Sequence, residues 1–340
     1  MSFFVPRSKQ TEQESKKSVP WVELYRPKSL DQVSSQEATI QVLKKTLLSS
    51  NLPHMLFYGS PGTGKTSTIL ALARELFGPQ LMKSRILELN ASDERGISII
   101  RDKVKTFAKT TVSNSVDGYP CPPFKIIILD EADSMTQDAQ AALRRTMEMY
   151  AKITRFCLIC NYMTRIIDPL ASRCSKYRFK PLDSENITKR LELIATDQNV
   201  QMETGVIDAL VEYSGGDMRK AITFLQSAAT LHQGSPITVA SIVELAGAVP
   251  LNIIRTLLDT AYTKNILKIE AMTREIEAEG YSTGIVLSQL HDVLLSEETL
   301  SSPAKHKIFL KLSEVDKRLT DGADESLQLL DLLSFISVVA

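Results

Sequence analysis

Cysteine, tryptophan and net charge are what this sequence has least of. Four cysteines and one tryptophan occur in 340 residues, and 40 Lys plus Arg balance 40 Asp plus Glu. So few cysteines exclude a disulfide-framed fold and fit a reducing compartment. Cys157 and Cys160 have CxxC spacing, but they stand in the apolar run RFCLICN (155–161). Residues three apart on a strand face opposite sides of the sheet, so both are expected to be packed thiols rather than metal ligands. His54, His232, His291 and His306 show no ligand spacing either. Zero net charge excludes a chain that coats nucleic acid through bulk charge and leaves only a local patch for that role. No apolar run is long enough for a spanning helix, so no membrane partner is expected. The start, MSFFVPRSKQ, lacks the apolar core and cleavage site of a secretory signal.

What is present has a clear order. Residues 1–19 are polar and read as a flexible tail. From 20 to 182, strand-like runs alternate with helical patterns. The strands are expected at MLFYG (55–59), RILELN (85–90), KIIILD (125–130), RFCLICN (155–161) and KYRFKP (176–181). Between the first two, Ile69, Leu72, Ala73, Leu76 and Phe77 form a helical stripe that should stop at Gly78-Pro79. This alternation predicts an α/β domain with a parallel sheet covered on both faces. Beyond Pro181 the pattern is helical. A small helical domain is expected over 183–248, a hinge at VPLN (249–252), and an all-α domain over 249–340. In the last of these, Ile308, Leu312, Val315 and Leu319 make one stripe.

The chemistry sits in the first domain. GSPGTGKT (59–66) follows a strand and opens a helix, the context that a phosphate-binding loop needs. Gly59, Ser60, Pro61, Gly62, Thr63 and Gly64 supply a loop whose N–H groups can wrap phosphate. The helix N-terminus adds its dipole. Lys65 can reach the outer phosphates of ATP, Thr66 can hold Mg²⁺, and Ser67 follows on the same turn. IIILDEAD (126–133) then delivers Asp130 to the end of a strand as a Mg²⁺ support. Glu131 beside it is placed to activate a water. Asn161 ends the next strand, where it could hydrogen-bond the γ-phosphate or the water; alone it reads more often as a strand-ending turn residue. Arg219, after a Gly-Gly break, reads alone as a solvated helix residue, and Arg173 in DPLASRC (168–174) reads alone as a surface arginine near the end of the α/β domain.

GSPGTGKT, ILDEAD, LICN, SRC and GDMRKA, in that order, resemble the AAA+ clamp loaders. VPWVELYRPKSLDQV (19–33) and LELNASDERG (87–96) narrow the resemblance to small subunits of eukaryotic replication factor C. The resemblance covers nearly the whole chain from residue 19 and is weakest over the last ninety residues. It implies an AAA+ ATPase module, a lid, and a collar that joins one large and four small subunits, three of them other than this chain. It also implies a PCNA-type sliding clamp and primer–template DNA as partners, alternative large subunits, ATP and Mg²⁺ as cofactors, and the nucleus as location. Val22 and Arg26 match positions beside the nucleotide, Asn161 the first sensor and Arg219 the second. Arg173 matches the arginine finger that acts in trans on the adjacent subunit's ATP. The resemblance places the clamp contact near the helix QDAQAALRRTME (137–148), where no single anchor stands out.

DNA contact is more open. GISIIRDKVKTFAK (96–109) reads as a helix with Ile97, Ile100, Val104 and Phe107 on its buried stripe. Arg95, Arg101 and Lys105 could track a phosphate backbone, or could simply be a solvated face; the resemblance favours DNA. Arg165 is a weaker candidate. Two other readings compete with the loader. One is a homohexameric motor, for which the expected aromatic pore loop is missing. The other is a subunit that binds ATP without hydrolysing it, against which Glu131 stands.

Overall fold

The computed structural model describes residues 19–33, 35–49, 52–92, 97–110, 116, 118–232, 234–298 and 300–339, without the side chains of 48, 49 and 97–101. The expected tail, except Val19, and Arg95 lie outside the described residues, and so does the side chain of Arg101.

Five strands form one parallel sheet: β1 Met55–Gly59, β2 Ile86–Asn90, β3 Lys125–Asp130, β4 Thr154–Cys160 and β5 Ser175–Phe179, in the order β2-β3-β4-β1-β5. All five expected strands are there; β1 and β3 have the expected ends, and the ends of the other three differ by at most two residues. The sheet is buried on both faces, which is why its strands read as nearly continuous apolar runs. Phe57, Ile126, Ile128, Cys157 and Ile159 face one side. Leu56, Ile127, Leu129, Leu158 and Cys160 face the other. The CxxC pair is thus split across the sheet. Both thiols are free and buried. Burial pushes the Cys157 thiol well up and the Cys160 thiol up to about 12. No cluster of three or more His, Cys, Asp or Glu able to hold a metal occurs among the described residues.

The helices of this region are α1 Trp21–Leu24, α2 Glu37–Ser49, α3 Lys65–Arg85, α4 Ile97–Lys109, α5 Gln137–Tyr150, α6 Asp168–Ala171 and α7 Ser184–Asp197. One sheet face packs on α2 and α3 through Ile40, Leu43, Ile69, Leu72, Leu76 and Phe77. The other packs on α4, α5 and α6 through Val104, Ala108, Leu143, Met147 and Leu170. The expected stop at Gly78-Pro79 is a break rather than an end. Gly78 takes φ 67°, ψ 164°, and a second helical stretch continues to Arg85. A left-handed glycine ends the first stretch, and Pro79, which lacks an N–H, is tolerated in the first turn of the next.

Gln140, 1% exposed on α5, joins three segments. Its Nε2 donates to the carbonyls of Met135 (3.1 Å) and Arg165 (3.0 Å), and its Oε1 accepts from the Ile167 N–H at 2.8 Å. A buried amide satisfied on both ends in this way fixes the loop after β4 against the start of α5.

The remaining helices are α8 Val206–Ser214, α9 Met218–Leu231, α10 Val239–Leu245, α11 Leu251–Tyr262, α12 Ile266–Ala278, α13 Thr283–Ser296, α14 Ser302–Thr320 and α15 Glu325–Val339. The chain divides into two compact units. The first runs to Asn199 and includes Ser214–Gln226; the second is Val200–Tyr213 with Ser227–Ala340. Within the second, α11 to α15 enclose their own core, with Leu257, Ile269, Leu290, Val315 and Leu332 fully or almost fully buried. Ile308, Leu312 and Val315 are buried, and Leu319 packs partly buried beside them. VPLN, expected as a hinge, is tied into that core. Val249 is 0% exposed, and its N–H and carbonyl are both bonded to the Gln289 amide at 2.9 Å.

One titration follows from the packing. The His54 Nδ1 accepts the Phe156 N–H at 3.1 Å. Burial first, then the nearby Arg155 charge, lowers its pKa to about 4. An unfolded histidine titrates near 6.5, so the unfolded chain takes up the proton first. The stabilising contribution is full above about pH 6.5 and is lost as pH falls towards about 4. An NMR titration, assigned with His54→Gln, should show one histidine with a midpoint near 4; a midpoint near 6.5 would mean that the ring is solvated.

Candidate active site

The loop between β1 and α3 is held by its glycines. Gly59, Gly62 and Gly64 have φ of 147°, 70° and 91°. A Cβ on Gly59 would stand 2.1 Å from the Phe179 carbonyl oxygen of β5, and one on Gly62 would stand 1.8 Å from Asp217 Oδ1. Both positions therefore require glycine for space as well as for φ. Lys65, 8% exposed, donates from Nζ to the carbonyls of Gly59 and Ser60, each at 2.8 Å, and to Asn161 Oδ1 at 3.0 Å. Burial lowers the Lys65 pKa, while the Asp130 carboxylate works against that shift. The ammonium is thus parked on three neutral oxygens, which a more strongly accepting phosphate can replace.

Thr66 Oγ1 donates to Asp130 Oδ2 at 2.7 Å. The other carboxylate oxygen of Asp130 accepts the Glu131 N–H at 2.9 Å. Glu131 sits in the left-handed region, φ 53°, ψ 38°, and is exposed. A non-glycine residue there costs energy and marks a position that the surrounding chain over-determines. The conformation turns the chain away at the end of β3 and leaves the Glu131 side chain at the cleft. Asp133, the last residue of the DEAD string, accepts the N–H groups of Asn161 (3.2 Å) and Tyr162 (3.1 Å). This fixes the end of β4 so that the Asn161 amide meets Lys65.

A cleft of about 220 Å³ joins these groups. Pro61, Gly62, Thr63, Gly64, Lys65, Thr66, Ser67, Asp130, Glu131, Asn161, Val22, Arg26 and Arg219 all line it. Gly59 and Ser60 do not; they serve through their carbonyls. Arg26 reaches Ser67 Oγ at 3.5 Å and Glu23 at 3.1 Å. Arg219 is brought to the cleft by Asp217, whose Oδ1 accepts the Arg219 and Lys220 N–H groups at 2.8 and 3.3 Å at the start of α9.

The segment 21–26 is strapped to the helices around the cleft, a feature no local motif announced. The Trp21 N–H donates to Gln226 Oε1 at 2.9 Å. Tyr25 donates to Asp197 and accepts from Gln198 Nε2 at 2.6 Å. Arg190 donates to the Tyr25 carbonyl at 2.7 Å and itself lines the cleft. Sequence reasoning missed Tyr25, Arg190 and Asp217 because their partners are far away in the chain. Asp133 was visible in DEAD, but its role depends on where β4 ends.

Two groups of expected site residues lie away from the cleft. Arg173, after α6, donates from Nη1 to the Pro169 carbonyl and pairs through Nη2 with Glu148 of α5, both at 2.5 Å. It does not line the cleft of its own chain. Lys105 is half-buried on α4. Arg165 stacks over the Tyr162 ring at 5.2 Å.

Family models match three stretches: the ATPase family associated with various cellular activities over 55–182, an AAA+ ATPase lid domain of the RCF1/5-like type over 189–230, and the replication factor C C-terminal domain over 249–334. The chain is 84% identical to replication factor C subunit 2 of Schizosaccharomyces pombe, with 100% of both chains covered. It is 56% identical to Homo sapiens replication factor C subunit 4, over 96% of this chain and 90% of that one. A solved structure of the Thermotoga maritima RuvB Holliday junction branch migration motor is 18% identical, with TM-score 0.50 over 69% of this chain and 78% of that one. That likeness speaks to the fold alone.

Proposed function

This chain belongs to the replication factor C family, and on that premise we propose that it couples ATP hydrolysis at the Lys65–Glu131 cleft to opening a PCNA-type sliding clamp and placing it on primed DNA. It is a clamp-loader small subunit with an AAA ATPase domain, a lid and a helical C-terminal domain. Its membership implies a complex with other replication factor C subunits. The observation that carries the mechanism is the convergence of Lys65, Thr66, Asp130, Glu131 and Asn161 on one cleft, with Arg26 and Arg219 at its edge.

In this reading the loop N–H groups and Lys65 take the phosphates, releasing Lys65 from Gly59, Ser60 and Asn161. Val22 and Arg26 lie beside the base and the phosphates. Thr66 and Asp130 offer hard oxygen donors 2.7 Å apart, a pair that suits Mg²⁺. Bound there, the ion would neutralise charge on the phosphates. Glu131 orients and deprotonates the attacking water. Asn161 and Arg219 sense the γ-phosphate, each tied through its backbone to a fixed carboxylate, Asp133 or Asp217. Arg173, which does not line its own cleft, serves the ATP of the adjoining subunit. Arg95, Arg101 and Lys105 meet the DNA backbone, and the loader works in the nucleus. We place the working divisions at 20–182, 183–248 and 249–340; the three family matches fall within them, in that order. Leu310, Leu327 and Val338, 56%, 64% and 81% exposed on the C-terminal helices, suit burial against neighbouring subunits.

Native mass spectrometry of the complex purified from its own cells tests this reading. A five-membered assembly with four different partners is expected. A six-fold multiple of the 37.8 kDa chain would overturn it in favour of a homomeric motor.

A further inference from the structure

The geometry points to Glu148 as a positioning residue for Arg173, aiming its guanidinium at the adjoining subunit's ATP; this rests on the reading of Arg173 as a finger in trans. Arg173 leaves the chain just after α6, where the backbone alone does not fix so long a side chain. Two acceptors orient it instead. The Pro169 carbonyl takes Nη1 and Glu148 Oε1 takes Nη2, both at 2.5 Å. A guanidinium has five N–H donors in one plane. Two acceptors set that plane and leave three donors, enough for the paired bonds that a phosphate offers.

The carboxylate is also shared. Arg144, one turn earlier on α5, places Nε 3.5 Å from the same Glu148 Oε1. That Nε is buried and has no hydrogen-bond partner. Two guanidiniums on one carboxylate leave the cluster net positive, which loosens the hold on each. The Arg173 and Glu148 side chains are also 37% and 44% exposed, so the pair is weak. It orients Arg173 without locking it. When Arg173 shifts to a phosphate, Arg144 stands ready to take Glu148, so the carboxylate is not left unpaired. Glu148 is exposed and caps nothing, so its loss should leave the fold intact.

The test uses the reconstituted complex with only the ATP site facing Arg173 competent for hydrolysis. Glu148→Ala should lower kcat there by about tenfold, with KM unchanged, because a misaimed group loses transition-state contact and not ground-state binding. Glu148→Gln, which keeps an acceptor, should restore most of the rate. In an Arg173→Ala background, Glu148→Ala should change nothing further. A full effect of Glu148→Ala in that background would overturn the proposal, because Glu148 would then act without Arg173. So would an unaffected Glu148→Ala beside a strongly impaired Arg173→Ala, and that result would leave the finger standing. An unaffected Arg173→Ala would remove the finger itself.

Discussion

Replacing Glu131 by Gln should lower hydrolysis at this subunit's own site by about 10²–10⁴-fold while leaving ATP affinity nearly unchanged. The reasoning starts from shape. Gln has the size of Glu, so the left-handed turn at φ 53° and the Glu131 N–H bond to Asp130 should survive. Lys65, Thr66 and Asp130, which carry binding, are untouched. What disappears is a carboxylate able to accept a proton from water. The check is single-turnover hydrolysis in a complex whose other sites are disabled, paired with a nucleotide-binding titration. An unchanged rate would place the base elsewhere and revive the view of this chain as a nucleotide-binding scaffold. A loss of affinity would mean that Glu131 shapes the cleft itself.

Arg173→Ala should have the larger effect, and in a different place. Hydrolysis at the adjoining subunit should fall by about 10³–10⁵-fold, the range for a guanidinium that stabilises charge on a transferring phosphoryl group. Binding of ATP to this chain's own cleft should not change, since Arg173 does not line it. Arg173→Lys should recover little, because an ammonium cannot present two parallel N–H groups in one plane. The readout is kcat at the adjoining site, set against nucleotide affinity at both sites. A fall confined to this chain's own cleft would contradict an action in trans.

How much of this was readable in advance depended on the range of each interaction. The strands were legible because a two-sided sheet needs unbroken apolar runs. Ile126 to Leu129 are all 0% exposed, and no helix pattern competes with that. The phosphate loop was legible because its parts are neighbours in the chain. Gly78-Pro79 was legible as a break but not as a continuation. The second helical stretch, up to Arg85, carries no strong stripe of its own; Leu81 packs on the core, and Arg85 donates to the carbonyls of Pro122 and Phe124.

The order of residues alone sets the local chemistry: a glycine loop before a lysine, two carboxylates at a strand end, and thiols that must face opposite ways. These follow from covalent spacing and backbone geometry, which no distant residue can alter. Packing sets which distant groups share a carboxylate or a carbonyl. Asp133 meets the end of β4 because β3 and β4 are neighbours in the sheet. Asp217 fills the space that Gly62 leaves empty. Tyr25 and Arg190 clasp across 165 residues. Glu148 meets Arg173 only because α5 and the loop after α6 pack on the same face. A hydrogen bond acts over about 3 Å, so until packing brings its two ends together, nothing in the order of residues names the partner.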